Sequence, residues 1–157
     1  MVCLTKNGSE IMEKQPHLLV VDAPYYKTIS ESLLQGVAQV FEAAGATYDY
    51  VSVPGVLEIP AAVAMAENSE KSFDGYVVIG CVIRGETTHY DIVANESARA
   101  LMNLTTSLHL ALGNGIQTVE NEQQAWARAS VSDKNKGGGA ASAALTMIEL
   151  KKKFQKG

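Results

Sequence analysis

Residues 76–89 read YVVIGCVIRGETTH. From Tyr76 to Ile83 the run carries no charge and is apolar on both faces of an extended chain. A strand of that kind is covered on both sides, which is the mark of a parallel sheet with helices above and below it. The chain then turns through Arg84–Thr88 into a segment with helical period beginning at His89. This strand–turn–helix unit sets the expectation for the rest of the sequence.

Outward from it, the same alternation recurs. Pro16 precedes HLLVVDA (17–23), a short apolar run read as a buried strand. Ile29, Leu33, Val37, Val40 and Phe41 then recur at helical spacing up to Ala44, and Gly45 stops that helix. TYDYVSV (47–53) alternates as a second strand, Pro54-Gly55 breaks it, and LEIPAAVAMAEN (57–68) reads as a short helix. After the central strand, Val93, Ala100, Leu101, Leu104, Leu108 and Leu112 form one stripe of a helix expected over His89–Leu112, with His109 inside it. GNGIQTV (113–119) is a fourth strand, followed by a helix over Glu122–Ala129. After KNKGGG (134–139), a last helix is expected over AASAALTMIELKKKF (140–154). Residues 1–15 are polar without a clear period and are expected to form an arm, leaving 16–157 as one domain. Strands alternating with helices imply a parallel sheet covered on both faces. In such folds ligands bind beyond the carboxyl ends of the strands.

Composition excludes several classes. A chain of 157 residues is one domain with room for a hydrophobic core. A net charge of -4 leaves no basic stripe for nucleic acid. Lys151–Lys153 and Lys156 sit at the C-terminal end of the last helix, where cations complement its dipole. The two cysteines, Cys3 in the arm and Cys81 in the central strand, do not form a disulfide framework, and zinc ligands are too few. No apolar run reaches membrane-spanning length and no secretory signal is visible, so a soluble, cytoplasmic protein is expected.

Four strand exits therefore concentrate the chemistry: Ala23–Lys27, Val53–Glu58, Arg84–His89 and Thr118–Asn121. At the third, Gly80, Gly85 and Thr87 have the spacing of a P-loop, but Glu86 stands where the lysine belongs. With no lysine and no dinucleotide fingerprint, nucleoside triphosphate hydrolysis is excluded. Free amides at a helix start still make an anion site for a single phosphate; a plain helix cap is the other reading. His89 follows at the helix start, with an imidazole able to take and give a proton near neutral pH. Of the three histidines, His17 and His109 read as structural. Glu58 follows a Pro-Gly turn, where it is either a first-turn acid favoured by the dipole or an acceptor for hydroxyl groups. In APYYK (23–27) the adjacent aromatics are either core or a platform for a planar ring. Arg128 and Lys136 are solvated surface charges or the countercharge that Glu86 cannot supply.

VPGVLEIPAA (53–62), GCVIRGETTHYDIVANE (80–96), TVENEQQAWARA (118–129) and NKGGGAA (135–141), in that order and spacing, resemble the lumazine synthase family of riboflavin biosynthesis, over Pro16 to the end. APYYK and NGIQTVENEQQAWARA are similar to a bacterial branch whose members often form free pentamers. The resemblance implies a three-layer α/β/α, flavodoxin-like fold with a four-stranded parallel sheet. It implies condensation of 5-amino-6-ribitylamino-uracil with 3,4-dihydroxy-2-butanone 4-phosphate, without metal or organic cofactor. By the same resemblance His89 moves protons, and the Glu86–Thr87 backbone and Arg128 hold phosphate. Glu58 holds the ribityl chain beside Val56 and Leu57. Tyr25 covers the pyrimidine ring, Val82 and Ile83 meet it through their backbone, and Lys136 lies near the ribityl and phosphate end. Two departures stand out: Asn114 replaces a bulky apolar or aromatic residue in the ring pocket, and SVSDKN (130–135) replaces the glycine turn common in capsid-forming members. A homopentamer with active sites between adjacent subunits follows. The competing expectation is a flavin or lumazine carrier with the same pocket and no turnover, which needs neither Arg128 nor His89.

Overall fold

The computed structural model of the chain describes residues 2–4, 10–12 and 14–156. Within the first fifteen residues, β1 (Val2–Leu4) and β2 (Glu10–Met12) pair antiparallel, Val2 opposite Met12. Strands of three residues are too short to show an alternating period, which is why the arm carried no strand signal. The side chain of Cys3 lies outside the described residues.

The domain proper follows the expected alternation: β3 (His17–Ala23), α1 (Lys27–Ala44), β4 (Thr47–Ser52), a 3-10 turn at Val56–Glu58 leading into α2 (Ile59–Glu67), β5 (Gly75–Ile83), α3 (His89–Leu108), β6 (Leu112–Val119), α4 (Glu122–Ala129) and α5 (Lys136–Lys156). The sheet is parallel throughout in the order β4-β3-β5-β6. Period-2 side chains sort the core into two layers. Leu18 and Val20 of β3 with Val77 and Ile79 of β5 face α1, α4 and α5. Leu19, Val21, Tyr76 and Val78 face α2 and α3. This is the three-layer, flavodoxin-like α/β/α fold, and β5 is its fully covered central strand.

Helix α1 ends as its sequence dictates: Gly45 takes φ 69°, a left-handed conformation only glycine adopts without cost, and its N–H bonds the Glu42 carbonyl. Two other helix ends differ from expectation. Helix α3 stops at Leu108, not Leu112, and His109 is its cap rather than an interior residue, at φ 55° with Leu110 N–H bonding the Thr105 carbonyl. Leu112 keeps the helical four-residue spacing but belongs to β6. Neither glycine nor proline marks this break, so periodicity alone carried the stripe too far.

Helix α5 begins at Lys136 and runs through the glycines, although each costs about 1 kcal/mol in a helix. The reason is non-local. A methyl on Gly137 would lie 2.1 Å from the Leu33 carbonyl oxygen of α1, so only glycine lets the two helices approach. Asn135 caps the start, its Oδ1 accepting from Gly138 N–H at 3.2 Å.

Gly113 has the same role between α5 and β6, because a methyl there would fall 1.8 Å from the Ala140 carbonyl oxygen. Gly113→Ala is expected to destabilise the fold by about 3 kcal/mol, since backbone must move to admit it. Urea unfolding checks this: the midpoint should fall at constant slope, and an unchanged midpoint would contradict the close seating of α5.

Candidate active site

The strand order places a topological switch between β3 and β5, since the chain leaves β3 toward β4 on one side and returns to β5 on the other. Connections diverge there and leave a crevice at the carboxyl ends. A cavity of about 360 Å³ opens at that point, with walls from the first three strand exits and from α3.

Tyr25 and Tyr26 form the first wall. Their rings meet edge to face with centroids 5.0 Å apart, and Tyr25 is 76% exposed while Tyr26 is half-buried. Tyr25 is thus held by its neighbour with one face uncovered, the geometry of a stacking platform. Tyr25 N–H bonds the Ala23 carbonyl at 2.9 Å, which tightens the turn between β3 and α1.

The second wall is Gly55–Glu58. A methyl on Gly55 would sit 3.0 Å from Glu58 Oε2, so the glycine leaves room for the carboxylate to fold back over the turn. Glu58 N–H bonds the Gly55 carbonyl at 3.1 Å, closing the turn that carries this carboxylate. Val56 is buried and packs closely over Gly80: a methyl on Gly80 would lie 3.1 Å from Val56 Cγ2, so Val56 would have to shift slightly to admit it.

The third wall is the end of β5, Cys81–Ile83, and the start of α3, where His89 and Val93 line the cavity one helical turn apart. Burial pushes the Cys81 thiol up to about 11, so it packs as an apolar group and is not a thiolate at neutral pH. No side chain caps α3 at Thr88. The Thr87 hydroxyl instead accepts from His89 N–H at 3.3 Å. A methyl on Gly85 would touch nothing among the described residues, so the loop backbone is open to an approaching group. The nearby cation, Arg84, is already engaged. Its Nε donates to Glu120 Oε2 at 2.9 Å, its Nη1 lies 3.4 Å from Asp91, and its guanidinium stacks 4.2 Å over the Tyr90 ring. Two carboxylates thus already share the Arg84 charge.

Of the residues singled out from sequence, Tyr25, Val56, Leu57, Glu58, Val82, Ile83 and His89 line this one cavity. Glu86 and Thr87 lie on the exposed loop beside it. Asn114, Arg128 and Lys136 do not line it. Asn114 is exposed on edge strand β6 with its Oδ1 accepting from Ile116 N–H, Arg128 donates to the Gln124 carbonyl in α4, and Lys136 is exposed at the first turn of α5. Sequence reading named Tyr26 only as one of the two APYYK aromatics and passed over Cys81 and Val93 as lining residues. Val93 was detectable as the residue four after His89 on one helix face, and Cys81 as the residue two before Ile83 on one strand face.

Beneath the first two walls lies Asp22, 2% exposed, the last residue but one of β3. Ser30 Oγ lies 2.5 Å and 2.6 Å from its two carboxylate oxygens, and Tyr50 OH donates to Oδ2 at 2.7 Å. Burial raises the Asp22 carboxyl above its ordinary range, against the lowering effect of the two hydroxyl donors. Burial, and after it the same contact, pushes the Tyr50 phenol up to about 12.

The family model of 6,7-dimethyl-8-ribityllumazine synthase matches residues 15–152. Similar curated proteins carry that name. One from Bartonella tribocorum is 61% identical over 91% of this chain and 95% of its own length. One from Agrobacterium fabrum is 60% identical over 89% and 97%. One from Rhizobium meliloti, named 6,7-dimethyl-8-ribityllumazine synthase 1, is 58% identical over 90% and 95%. With the switch-point cavity and the RGETTH turn in place, these matches settle the assignment: the chain belongs to the 6,7-dimethyl-8-ribityllumazine synthase family, enzymes of riboflavin biosynthesis.

Proposed function

We propose that the chain condenses 5-amino-6-ribitylamino-uracil with 3,4-dihydroxy-2-butanone 4-phosphate to 6,7-dimethyl-8-ribityllumazine, releasing inorganic phosphate. The observation that carries this reading is the cavity that joins Tyr25, Glu58 and His89 beside an uncapped helix start. The substrate amine attacks the ketone, and loss of water forms the imine. Phosphate then leaves with a proton taken from carbon, and the second amine closes the ring with loss of another water. The nucleophile belongs to the substrate, so the site needs no lysine adduct. Its main task is to hold two reactants in register, which by itself is worth several orders of magnitude.

In this reading Tyr25 stacks on the pyrimidine, and Val82 and Ile83 meet its edge through their backbone. The Glu58 carboxylate accepts from ribityl hydroxyls beside Val56 and Leu57. The Glu86–Thr87 amides and the dipole of α3 receive the phosphate, and His89 moves the protons. Asn114, Arg128 and Lys136 complete the site from an adjacent copy, with Asn114 on the ring side, Arg128 on the phosphate and Lys136 near the ribityl and phosphate end. Two observations support an assembly. Arg84 has no charge to spare for the phosphate, and α3 buries only Val93, Ser97 and Leu101 along its 20 residues while Ile92 and Met102 stand 53% and 61% exposed. A homopentamer in the cytoplasm is the assembly proposed, since the Ser130–Asn135 turn lacks the glycines of capsid-forming relatives.

The test mixes purified protein with both substrates and follows lumazine fluorescence and inorganic phosphate together. Equal release of the two above the spontaneous rate supports the reading. Tight lumazine binding without acceleration overturns it in favour of a carrier.

A further inference from the structure

We propose that Asp22 is a positioning residue that sets the separation of two walls of the site, the Tyr25–Tyr26 turn and the Val56–Glu58 turn. The proposal rests on the lumazine-forming reading above. Asp22 does not line the cavity. Among the described residues it bonds to the supports of both walls. Through its side chain it holds Ser30, in the first turns of α1 directly after Tyr25 and Tyr26, and Tyr50, on β4 just before the Val53–Glu58 turn. Through its backbone carbonyl it accepts from Val53 N–H at 2.8 Å, at the residue where β4 gives way to that turn.

Purely structural packing would not explain this pattern. The position lies in the apolar core layer of β3, on the same face as Leu18 and Val20, where a hydrocarbon side chain would avoid burying a carboxylate. A carboxylate with two hydroxyl donors is directional where a methyl is not, and its partners sit on the two elements that carry the ring-stacking and ribityl-holding groups. The third wall, β5 and His89, receives no side-chain bond from Asp22. The latch therefore acts on one substrate and spares the other: it sets the gap that receives the pyrimidine and its ribityl chain and leaves the phosphate loop as it is.

The experiment measures both KM values and kcat for Asp22→Asn and Tyr50→Phe. Asparagine keeps the volume but replaces one acceptor oxygen with a donor, so Ser30 and Tyr50 must share a single neutral acceptor oxygen, a weaker hold than a carboxylate gives. For Asp22→Asn, KM for the uracil amine is expected to rise about tenfold, with KM for the ketone phosphate within about twofold and kcat within about threefold. Tyr50→Phe should show the same split at about a third of the size. Loss of folded protein alone lowers kcat and leaves both KM values unchanged; that pattern, or equal rises in both, overturns the proposal. Should Asp22→Asn not fold, Tyr50→Phe decides, because Tyr50 lies on the edge strand and is 43% exposed. Amide hydrogen exchange gives a readout independent of turnover: Tyr25 and Val53 N–H should exchange about tenfold faster in Asp22→Asn while β5 is unaltered. Wild-type protein that makes no lumazine overturns the reaction. Unaltered exchange at Val53 in an active enzyme overturns the latch.

Discussion

His89→Ala is expected to lower kcat by about a hundredfold, the low end of what a positioned proton carrier contributes, with little change in affinity for the pyrimidine substrate. The ring stands at the start of α3, exposed on its solvent side and lining the cavity on the other, one helical turn from Val93. In the proposed reading it serves the region where imine and leaving phosphate meet, while the stacking and ribityl-holding groups, Tyr25 and Glu58, stand on the other two walls. Its loss therefore acts on the chemical step and leaves ground-state binding in place, so kcat and kcat/KM should fall together. Steady-state kinetics with saturating ketone phosphate, and a titration of the lumazine product into the variant, check the two halves. An unchanged rate removes His89 from the mechanism. The residual activity should be substantial, because holding two substrates in register persists without the imidazole.

Arg128→Ala is expected to reduce kcat/KM by about a hundredfold, through weaker capture of the phosphate and its departing charge. The sharper result concerns which chain supplies it. The cavity of one copy holds His89 but not Arg128. Arg128 lies in α4, half-buried, and its guanidinium donates to the Gln124 carbonyl one turn earlier. If each site takes His89 from one copy and Arg128 from the next, two impaired variants can complement each other. Coexpressed in equal amounts, His89→Ala and Arg128→Ala should assemble rings in which about one site in four has both residues, and activity should return to about a quarter of wild type. Activity no higher than the mean of the two separate variants would place both residues in one chain's site.

Both expectations depend on features of different legibility. The strand–turn–helix unit at Tyr76–His89 was readable because it is local: a short uncharged run, apolar on both faces and rich in β-branched residues, favours a covered strand, and the helical period begins where the run ends. Gly45 was readable as a stop for the same reason, since its left-handed conformation serves the helix that precedes it. The ends of α3 and α5 were not. Leu112 continues a helical spacing by coincidence, and the break before it rests on His109 in a conformation that its residue type only weakly signals. The glycines at 137–139 read as a loop because helix propensity is a local average, whereas their use is set by the Leu33 carbonyl on a helix a hundred residues earlier.

The site divides in the same way. Tyr25, Glu58 and His89 were nameable because each stands at a strand exit, and parallel sheets gather their strand exits at one end. Asp22 was passed over as one polar residue in an apolar strand. Its meaning comes from Ser30 and Tyr50, which share no sequence pattern with it and meet it only once β3, β4 and α1 are packed. The sequence by itself determined the element types, the parallel sheet and the residues at its carboxyl edge, because hydrophobic period and turn chemistry are properties of neighbouring residues. The tertiary structure alone decided the strand order that opens the switch-point cavity, the glycine contacts that let α5 close on α1 and β6, and the separation of Arg128 and Lys136 from His89 within one chain. Those are distances between segments far apart in sequence, and no local pattern encodes them.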